Sequence, residues 1–295
     1  MKGAPRQHQR GIPQLRSADH PCGLRSRCRC CDGDRFCDPS RGSGGLVIPY
    51  QDLGTSHLEV LRELHQAGAQ LEKVGHSGYS GGVDYTYREY NGLTVDYGNG
   101  QLTTTNTPVD IVWNSHGTSF SGPHNFEAFL KDNDVTGILG IGANSGGPTE
   151  SPLEATGYTG VTIDLPQNEL IVSATNPGTA IDTVSGAPIS SLYETVTTDG
   201  VTKGSTVSDD VDSGGVYGTI PSSLNAAQGS TITVYSSNGG TELYSYTVGT
   251  DSDGTSELPV PTSGTSIDSG VIPFEKEPIF IDYDNDTMSL DHPLP

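Results

Sequence analysis

The stretch 207–221 sets narrow limits on what this chain can fold into. A predicted strand that begins at Val207 ends in Asp-Ser-Gly-Gly at 212–215, and an apolar run at 216–220 follows directly. Glycine lets the backbone turn sharply, and the hydroxyl of Ser213 can hydrogen-bond locally to fix the loop. The stretch therefore predicts two short strands joined by a tight turn that presents the carboxylate of Asp212. Because Asp-Ser-Gly is also common in ordinary turns, the motif by itself does not define a site.

The whole chain has the composition of an all-β protein. It has 39 glycines in 295 residues and a charged fraction of only 17%, and it is rich in serine and threonine, which favours many short strands and turns. The length is sufficient for one large domain or two lobes. No apolar run is long enough for a transmembrane helix. The net charge of -21 argues against nucleic acid or an anionic membrane surface as a partner.

The charge is distributed very unevenly along the chain. Residues 1–41 hold 9 of the 15 lysines and arginines, 4 of the 36 acidic residues and all five cysteines. The other 254 residues hold 6 basic and 32 acidic side chains, a formal charge of -26. Such a break in composition indicates a junction between unlike segments.

The first 41 residues are interpreted as a disordered or mistranslated segment. They lack the continuous apolar centre of a signal peptide. They contain one C-x-x-C pair, Cys28 with Cys31, whereas a structural zinc site needs a second pair of ligands. An odd, crowded set of five cysteines also makes a poor disulfide framework. We expect neither a metal nor a cofactor.

Four features of the first half follow in order. A glycine turn at 42–45 leads into an apolar strand, and Leu58, Leu61 and Leu64 lie on one face of a predicted helix. A tyrosine-rich hairpin closes at 97–100, where Tyr-Gly-Asn-Gly supplies the turn. The fourth feature, Gly-Ile-Leu-Gly-Ile-Gly at 137–142, predicts a buried strand whose glycines let two backbones approach closely.

The order of these motifs resembles that of a pepsin-like aspartic protease. More narrowly, residues 42–285 are similar to the aspartic protease domain of mycobacterial PE and PE_PGRS proteins, the PE cleavage protein A group. The segments that carry the similarity are Gly-Leu-Val-Ile-Pro at 45–49, Gly-Tyr-Ser-Gly-Gly at 78–82, Tyr-Gly-Asn-Gly at 97–100, Gly-Ile-Leu-Gly-Ile-Gly at 137–142, Asp-Ser-Gly-Gly-Val-Tyr-Gly-Thr-Ile-Pro at 212–221 and Ile-Pro-Phe at 272–274.

The resemblance implies a bilobal, pepsin-like all-β fold with a few short helices. The N-terminal lobe would span 42–160 and be incomplete, because its first strand is missing. The C-terminal lobe would span 161–295 and carry Asp212. The implied activity is endopeptidase cleavage by a water molecule activated between two aspartates. The implied partners are extended peptide segments of secreted or cell-surface proteins, including PE proteins. In this family, the resemblance implies, export proceeds by type VII secretion directed by an N-terminal PE domain. We expect a monomer that is secreted or lies at the mycobacterial surface.

The resemblance also assigns roles to individual positions. Asp212 would be one catalytic aspartate. The residues expected to support the two catalytic loops are Gly42, Ser43, Ser213, Gly214 and Gly215. Tyr97 and Gly98 would form the flap over the substrate. Ile138, Leu139 and Gly140 would pack beneath the site.

The chain departs from the family at the first catalytic loop. Where the family has Asp-Thr-Gly-Ser, Ser40 occupies the aspartate position and Arg41 the threonine position. Asp38 lies two residues early, a displacement of about 6–7 Å in an extended chain. Losing one member of an acid–base pair costs roughly 100- to 10,000-fold in rate. We therefore expect this polypeptide to be nearly inactive, and we expect no PE domain before its protease-like part.

Three other interpretations stay open. Ser213 could be the nucleophile of a chymotrypsin-like protease, with His116 as the nearest candidate base. Against this, Val211 and Val216 stand where that family favours glycine and proline. Alternatively, the chain is a β-rich binding protein, a pseudoprotease that keeps the substrate cleft. Pairing of two Asp212 loops in a dimer is the third interpretation.

Overall fold

The computed structural model describes residues 14–16, 46–49, 57–79, 82–97, 102–118, 123–132, 137–143, 151–250, 254 and 256–294. Its strands and helices, in chain order, are β1 (Gln14–Arg16), β2 (Leu46–Pro49), α1 (His57–Gln66), β3 (Gln70–Tyr79), β4 (Val83–Tyr97), β5 (Leu102–Gly117), α2 (Phe126–Asp132), β6 (Ile138–Leu139), β7 (Gly160–Asp164), β8 (Glu169–Ser173), β9 (Ala180–Ser185), β10 (Ile189–Thr198), β11 (Val201–Asp210), β12 (Thr219–Pro221), β13 (Thr231–Tyr235), β14 (Glu242–Thr247), β15 (Val260–Thr262), β16 (Ser266–Asp268), α3 (Ile272–Lys276), β17 (Ile279–Asp282) and β18 (Thr287–Asp291).

These elements make the predominantly β protein that the composition predicts. Between β2 and β6 one five-stranded sheet forms, in the order β3-β4-β5-β2-β6. The later strands form a second five-stranded sheet, β14-β13-β10-β11-β16, and a two-stranded sheet, β12-β15. A six-stranded sheet, β1-β8-β7-β17-β18-β9, completes the described part of the fold. The described helices are short, and none is long and apolar enough to cross a membrane.

In the N-terminal half, helices cover both faces of a sheet built on two long hairpins. Tyr85 of β4 packs against Phe126 of α2 with ring centroids 5.1 Å apart. Tyr90 of the same strand packs with Val60 and Leu64 of α1. Because successive side chains of a strand point to opposite faces, one aromatic strand supplies a core to each helix.

The buried face of α1 differs from the predicted one. Leu64 is buried as expected, but Leu58 is 80% exposed and Leu61 36% exposed, whereas Val60 is fully buried. Val60 and Leu64 are four positions apart, so they lie one above the other on the same helical face. The helix therefore turns its Val60–Leu64 side toward the sheet and leaves Leu58 in solvent.

In the C-terminal half, one continuous apolar core joins the sheets. It includes buried residues from β7, β10, β11, β13 and β17, together with Phe274 of α3, which is 1% exposed. All five residues of β7 are buried, because this strand lies inside the six-stranded sheet between β8 and β17. The core fixes the ends of β11 and β16, which carry the candidate site.

Apart from β1, the described strands divide into a group within 46–139 and a group within 160–291. The lobe boundary at 160/161 stays a prediction. Of the segment 1–41, only β1 is described, and it pairs antiparallel with β8 at the edge of the six-stranded sheet. The rest of that segment lies outside the described residues.

Candidate active site

Asp212 lies in a tight turn just beyond the end of β11. Its Oδ1 accepts a hydrogen bond of 2.8 Å from the backbone N–H of Gly214, and its own carbonyl accepts one of 3.1 Å from Gly215. This is the turn that the Asp-Ser-Gly motif predicts, in which the aspartate side chain satisfies a nearby backbone donor. Ser213 is half-buried and Gly214 exposed at its surface.

A second Asp-Ser-Gly turn lies directly beside the first. Asp268 ends β16, and its Oδ1 accepts a hydrogen bond of 2.7 Å from the N–H of Gly270. Gly270 has a φ of 65°, a conformation that glycine adopts without strain. The same tripeptide thus makes the same carboxylate-to-backbone bond twice in one half of the molecule.

The two turns are joined through their strands. β11 and β16 are parallel, and Asp210 lies opposite Asp268 in the register. The N–H of Ser269 donates to the carbonyl of Asp210 over 3.1 Å, and the N–H of Asp268 donates to Thr219 Oγ1 over 3.0 Å. These bonds tie the second turn both to the strand before Asp212 and to the strand after it.

Gly215 is the point of closest approach between the turns. A methyl group at this position would lie 2.8 Å from the Cα atom of Gly270 and 3.1 Å from Asp268 Oδ1. Such short contacts leave no room for any side chain, so only glycine fits between the two turns. The glycine that the sequence assigns to loop support therefore makes this approach possible.

Burial raises the pKa values of the three carboxyl groups around the turns. Asp212 is partly exposed to solvent, but the burial of the rest of its surface raises its pKa. The hydrogen bond from the Gly214 N–H partly opposes this rise. The pKa of Asp268 lies well above its usual range because of burial and then of the negative charge of Asp212. For Asp210, burial and the charges of Asp212 and Asp209 raise the pKa to about 8.

A further pair of acids lies deeper in the same sheet. Burial, and then the charge of Asp268, raise the pKa of Asp209 to about 8. Among the described residues, no donor meets either carboxylate oxygen of Asp209 at hydrogen-bonding geometry, although the nearby Ser269 partly opposes the rise in pKa. Burial, followed by the charge of Asp209, raises the pKa of Glu194 well above its usual range. Proteins bury unpaired carboxyl groups in this way mainly as the neutral acid.

Residues 40–290 match the family model of the PE-PGRS C-terminal aspartyl peptidase-like domain. This match covers most of the chain. The chain belongs to this family.

Two curated relatives agree with that membership. PE cleavage protein A of Mycobacterium tuberculosis is 36% identical to this chain over 277 residues, which cover 85% of the chain and 46% of the relative. PE cleavage protein A of Mycobacterium marinum is 36% identical over 267 residues, covering 82% of the chain and 44% of the relative. This family member thus spans slightly less than half the length of the curated relatives it matches.

The fold is that of an aspartic proteinase. The crystal structure of the aspartic proteinase from Irpex lacteus superposes with a TM-score of 0.54 and covers 85% of this chain and 88% of its own. The sequence identity over that superposition is 13%, so this comparison establishes the fold alone. The bilobal, pepsin-like all-β architecture expected of the family is confirmed.

The first catalytic loop of the family lies outside the described residues. Ser40, Gly42 and Ser43 all fall there, and so does Gly98 of the predicted flap. Their assigned roles stay predictions. Strand β2, which follows that loop, is described and pairs in parallel with β5.

Tyr97, the predicted flap tyrosine, lies at the end of β4 opposite Leu102. It packs against the core of the C-terminal half, and its hydroxyl lies near Thr104. Its charge also contributes to the raised pKa of Tyr283, just beyond β17. No described contact joins Tyr97 to Asp212, so its role as a flap residue stays a prediction.

The predicted packing element Ile138-Leu139-Gly140 follows β2. β6 pairs antiparallel with β2, with Leu139 opposite Leu46, so it lies beside the strand that leaves the first loop. The carbonyl of Gly140 accepts a hydrogen bond of 3.0 Å from Ser151. The element therefore lies beside β2. Its packing beneath the first catalytic loop stays a prediction, because that loop lies outside the described residues.

Asp268 is not among the site residues predicted from the sequence. A signal is present, because Asp-Ser-Gly recurs at 268–270 directly after the apolar Ile267. Its importance depends on the parallel pairing of β16 with β11, a strand that is distant in the sequence. No local sequence pattern reveals such a pairing. Among the described residues, no group of three or more His, Cys, Asp or Glu side chains is arranged to hold a metal ion.

Proposed function

We propose that this chain is an aspartic endopeptidase domain in which Asp212 is one of the two water-activating carboxylates. The observation that supports this most directly is the Asp212 turn, where the Gly214 N–H fixes a partly open carboxylate at the end of β11. The raised pKa of Asp212 agrees with a group that exchanges protons. Membership of the aspartyl peptidase-like family supports the same assignment.

The chemistry requires two carboxyl groups in different protonation states. The ionised one accepts a proton from the attacking water, and the protonated one donates a proton toward the substrate. In this chain, Ser40 would stand in the place of the first aspartate, and a serine hydroxyl cannot serve as that acid or base at ordinary pH. We propose that this polypeptide hydrolyses peptides about 100- to 10,000-fold more slowly than an intact pair would.

The proposed substrates are extended peptide segments of secreted or cell-surface mycobacterial proteins, including PE proteins. The relatives from two Mycobacterium species, which carry the name PE cleavage protein A, support this choice. A strongly acidic protein is also unsuited to nucleic acid. We propose that the domain acts as a monomer, outside the cell or at its surface.

The experiment restores the missing carboxylate. The double substitution Ser40→Asp with Arg41→Thr re-creates the family tetrad, and we expect turnover of a peptide library to rise by roughly 100-fold or more, with an acidic optimum. Ser40→Asn with Arg41→Thr is the matched control, since it changes the same positions without adding a carboxyl group. Adding Asp212→Asn to the restored chain should remove the gain.

Two outcomes would contradict the proposal. One is an unaltered 1–295 chain that already cleaves peptides as fast as the restored variant with a bell-shaped acidic profile. The other is a restored variant whose activity survives Asp212→Asn. Pepstatin should inhibit the restored activity, whereas inhibition by serine-directed reagents would favour Ser213 as nucleophile.

A second candidate function, peptide binding without cleavage, is favoured by the serine at position 40. A degenerate peptidase can keep its substrate cleft after it loses one catalytic group. Calorimetric binding of a peptide that the chain leaves intact for many hours would support this function. The serine protease alternative has less support, because His116 is exposed on β5 of the other sheet and no described hydrogen bond joins it to Ser213.

A further inference from the structure

Asp268 is a buried carboxyl group for which the proposed reaction has no assigned use. It is 5% exposed. Across the parallel strands it lies opposite Asp210, two residues before Asp212. Its Oδ1 atom and the carbonyl oxygen of Asp212 both lie close to the position that a Cβ atom on Gly215 would occupy.

The backbone around Asp268 is fixed on both sides of the turn. Thr219 accepts its N–H, and Gly270 donates to its side chain. One residue further, the N–H of Val271 donates to the carbonyl of Val216 over 3.0 Å. A carboxyl group held in this way cannot rotate into solvent to escape a neighbouring charge.

Two buried carboxyl groups in adjacent turns interact as a pair and do not titrate separately. The groups that face Asp268 are Asp212 and Asp210, both acidic, and its own charge in turn affects Asp209. Among the described residues, no cation contributes to the shift in the pKa of Asp268; burial and the like charges dominate it. Asp212 is the more exposed of the two groups, so we expect it to ionise before Asp268.

We propose that Asp268 is a positioning residue of the site, which holds the Asp212 turn in place and whose ionisation is coupled to that of Asp212. Asp268 is too buried to touch a substrate, so it acts through Asp212. The inference rests on the proposed function for the importance of Asp212, but the pairing of the two groups exists whether or not the chain cleaves peptides.

The test follows the two carboxyl carbons by NMR as pH is raised, in the full-length chain labelled at aspartate. In the unaltered protein we expect the Asp212 signal to shift in two steps, the second caused by ionisation of Asp268. Asp268→Asn keeps an oxygen that can accept from Gly270 but removes the ionisation. The Asp212 signal should then show a single step.

Asp284→Asn is the matched control, because Asp284 is exposed on the turn between β17 and β18. It should leave both steps unchanged. An Asp212 signal with identical titration in the unaltered chain and in folded Asp268→Asn would overturn the inference.

The reciprocal variant keeps the test decisive if Asp268→Asn fails to fold. Asp212→Asn should move the Asp268 titration to lower pH, because it removes the nearest negative charge while burial stays the same. An unmoved Asp268 titration in that variant would equally overturn the pairing. Since the readout is ionisation and not turnover, an inactive chain can still support the inference, and an active one can still refute it.

Discussion

Asp210 and Asp268 lie opposite each other on two parallel strands, β11 and β16, and the backbone N–H of Ser269 donates to the carbonyl of Asp210 over 3.1 Å. This pairing brings two Asp-Ser-Gly turns from distant parts of the sequence to one edge of a sheet. Because like charges this close oppose each other's ionisation, such a cluster tolerates burial only while most of its members are protonated. The site is therefore an acid-rich region whose properties depend on tight backbone packing.

Gly215→Ala tests that packing. The added methyl group would lie 2.8 Å from the Cα atom of Gly270, and neither backbone can move away freely. We expect the free energy of unfolding to fall by about 1–3 kcal/mol, the usual cost of overpacking, as measured by urea denaturation. Gly264→Ala is the control, because its nearest neighbour would be 3.8 Å away; it should be neutral or slightly stabilising. Equal stabilities of the two variants would contradict the close approach.

Leu64→Ala and Leu58→Ala test which face of α1 is buried. Leu64 is 5% exposed and lies in the core with Tyr90, whereas Leu58 is 80% exposed. We expect Leu64→Ala to lower the free energy of unfolding by about 2–5 kcal/mol and Leu58→Ala to change it by less than about 0.5 kcal/mol. Equal losses in the two variants would support the face that the sequence pattern predicted.

Local features could be predicted from the sequence, and long-range pairings could not. The Asp212 turn depends on a few neighbouring residues whose turn chemistry is strong, so it is formed as predicted. For α1, apolar residues at 58, 60, 61 and 64 cover more than one side of the helix. The choice between sides depends on the position of Tyr90 in the sheet, which the helix sequence does not encode.

The buried acids show more clearly that long-range packing cannot be predicted from the local sequence. Asp209 and Glu194 belong to strands rich in serine and threonine, where an acidic residue would ordinarily face solvent. Both are nevertheless buried, and Tyr244 and Tyr246 on β14 of the same sheet lie within range of their charges. Composition signals an acidic protein but does not indicate which carboxyl groups are enclosed.

Tyr283→Phe tests a polar connection between the two halves of the chain. The Tyr283 hydroxyl donates to the carbonyl of Ile141 over 2.9 Å and lies 3.3 Å from Ser151 Oγ, which itself donates to Gly140. Removing this hydroxyl leaves the Ile141 carbonyl without that donor.

We expect Tyr283→Phe to lower the free energy of unfolding by about 1–3 kcal/mol, the cost of leaving a buried polar group unsatisfied. Hydrogen exchange should accelerate in the segment around Ile141 before it does so elsewhere. Tyr235→Phe is the control, since the Tyr235 hydroxyl makes no hydrogen bond to the described residues, and it should have little effect. A Tyr283→Phe chain as stable and as protected as the unaltered one would show that the connection is dispensable.

The pH dependence of stability follows from Asp209. Its pKa is raised by burial from 3.8 to about 8 in the folded chain, so between those values the folded state binds more protons than the unfolded state. Stability from this group is therefore fully present below about pH 4 and is lost as pH rises toward 8, by at most about 1.4 kcal/mol per pH unit. Asp210, with a pKa also raised to about 8, contributes in the same direction.

We therefore expect the urea midpoint to be higher at pH 5 than at pH 7.5, and Asp209→Asn to reduce that difference, because the amide cannot ionise. The comparison uses the change in midpoint with pH, so any constant cost of burying the amide cancels. Asp284→Asn, an exposed substitution, should leave the difference unchanged. If stability instead rises between pH 5 and 7.5 in the unaltered chain, the buried acids are not held protonated, and the acid-rich sheet must be balanced by charges from elsewhere.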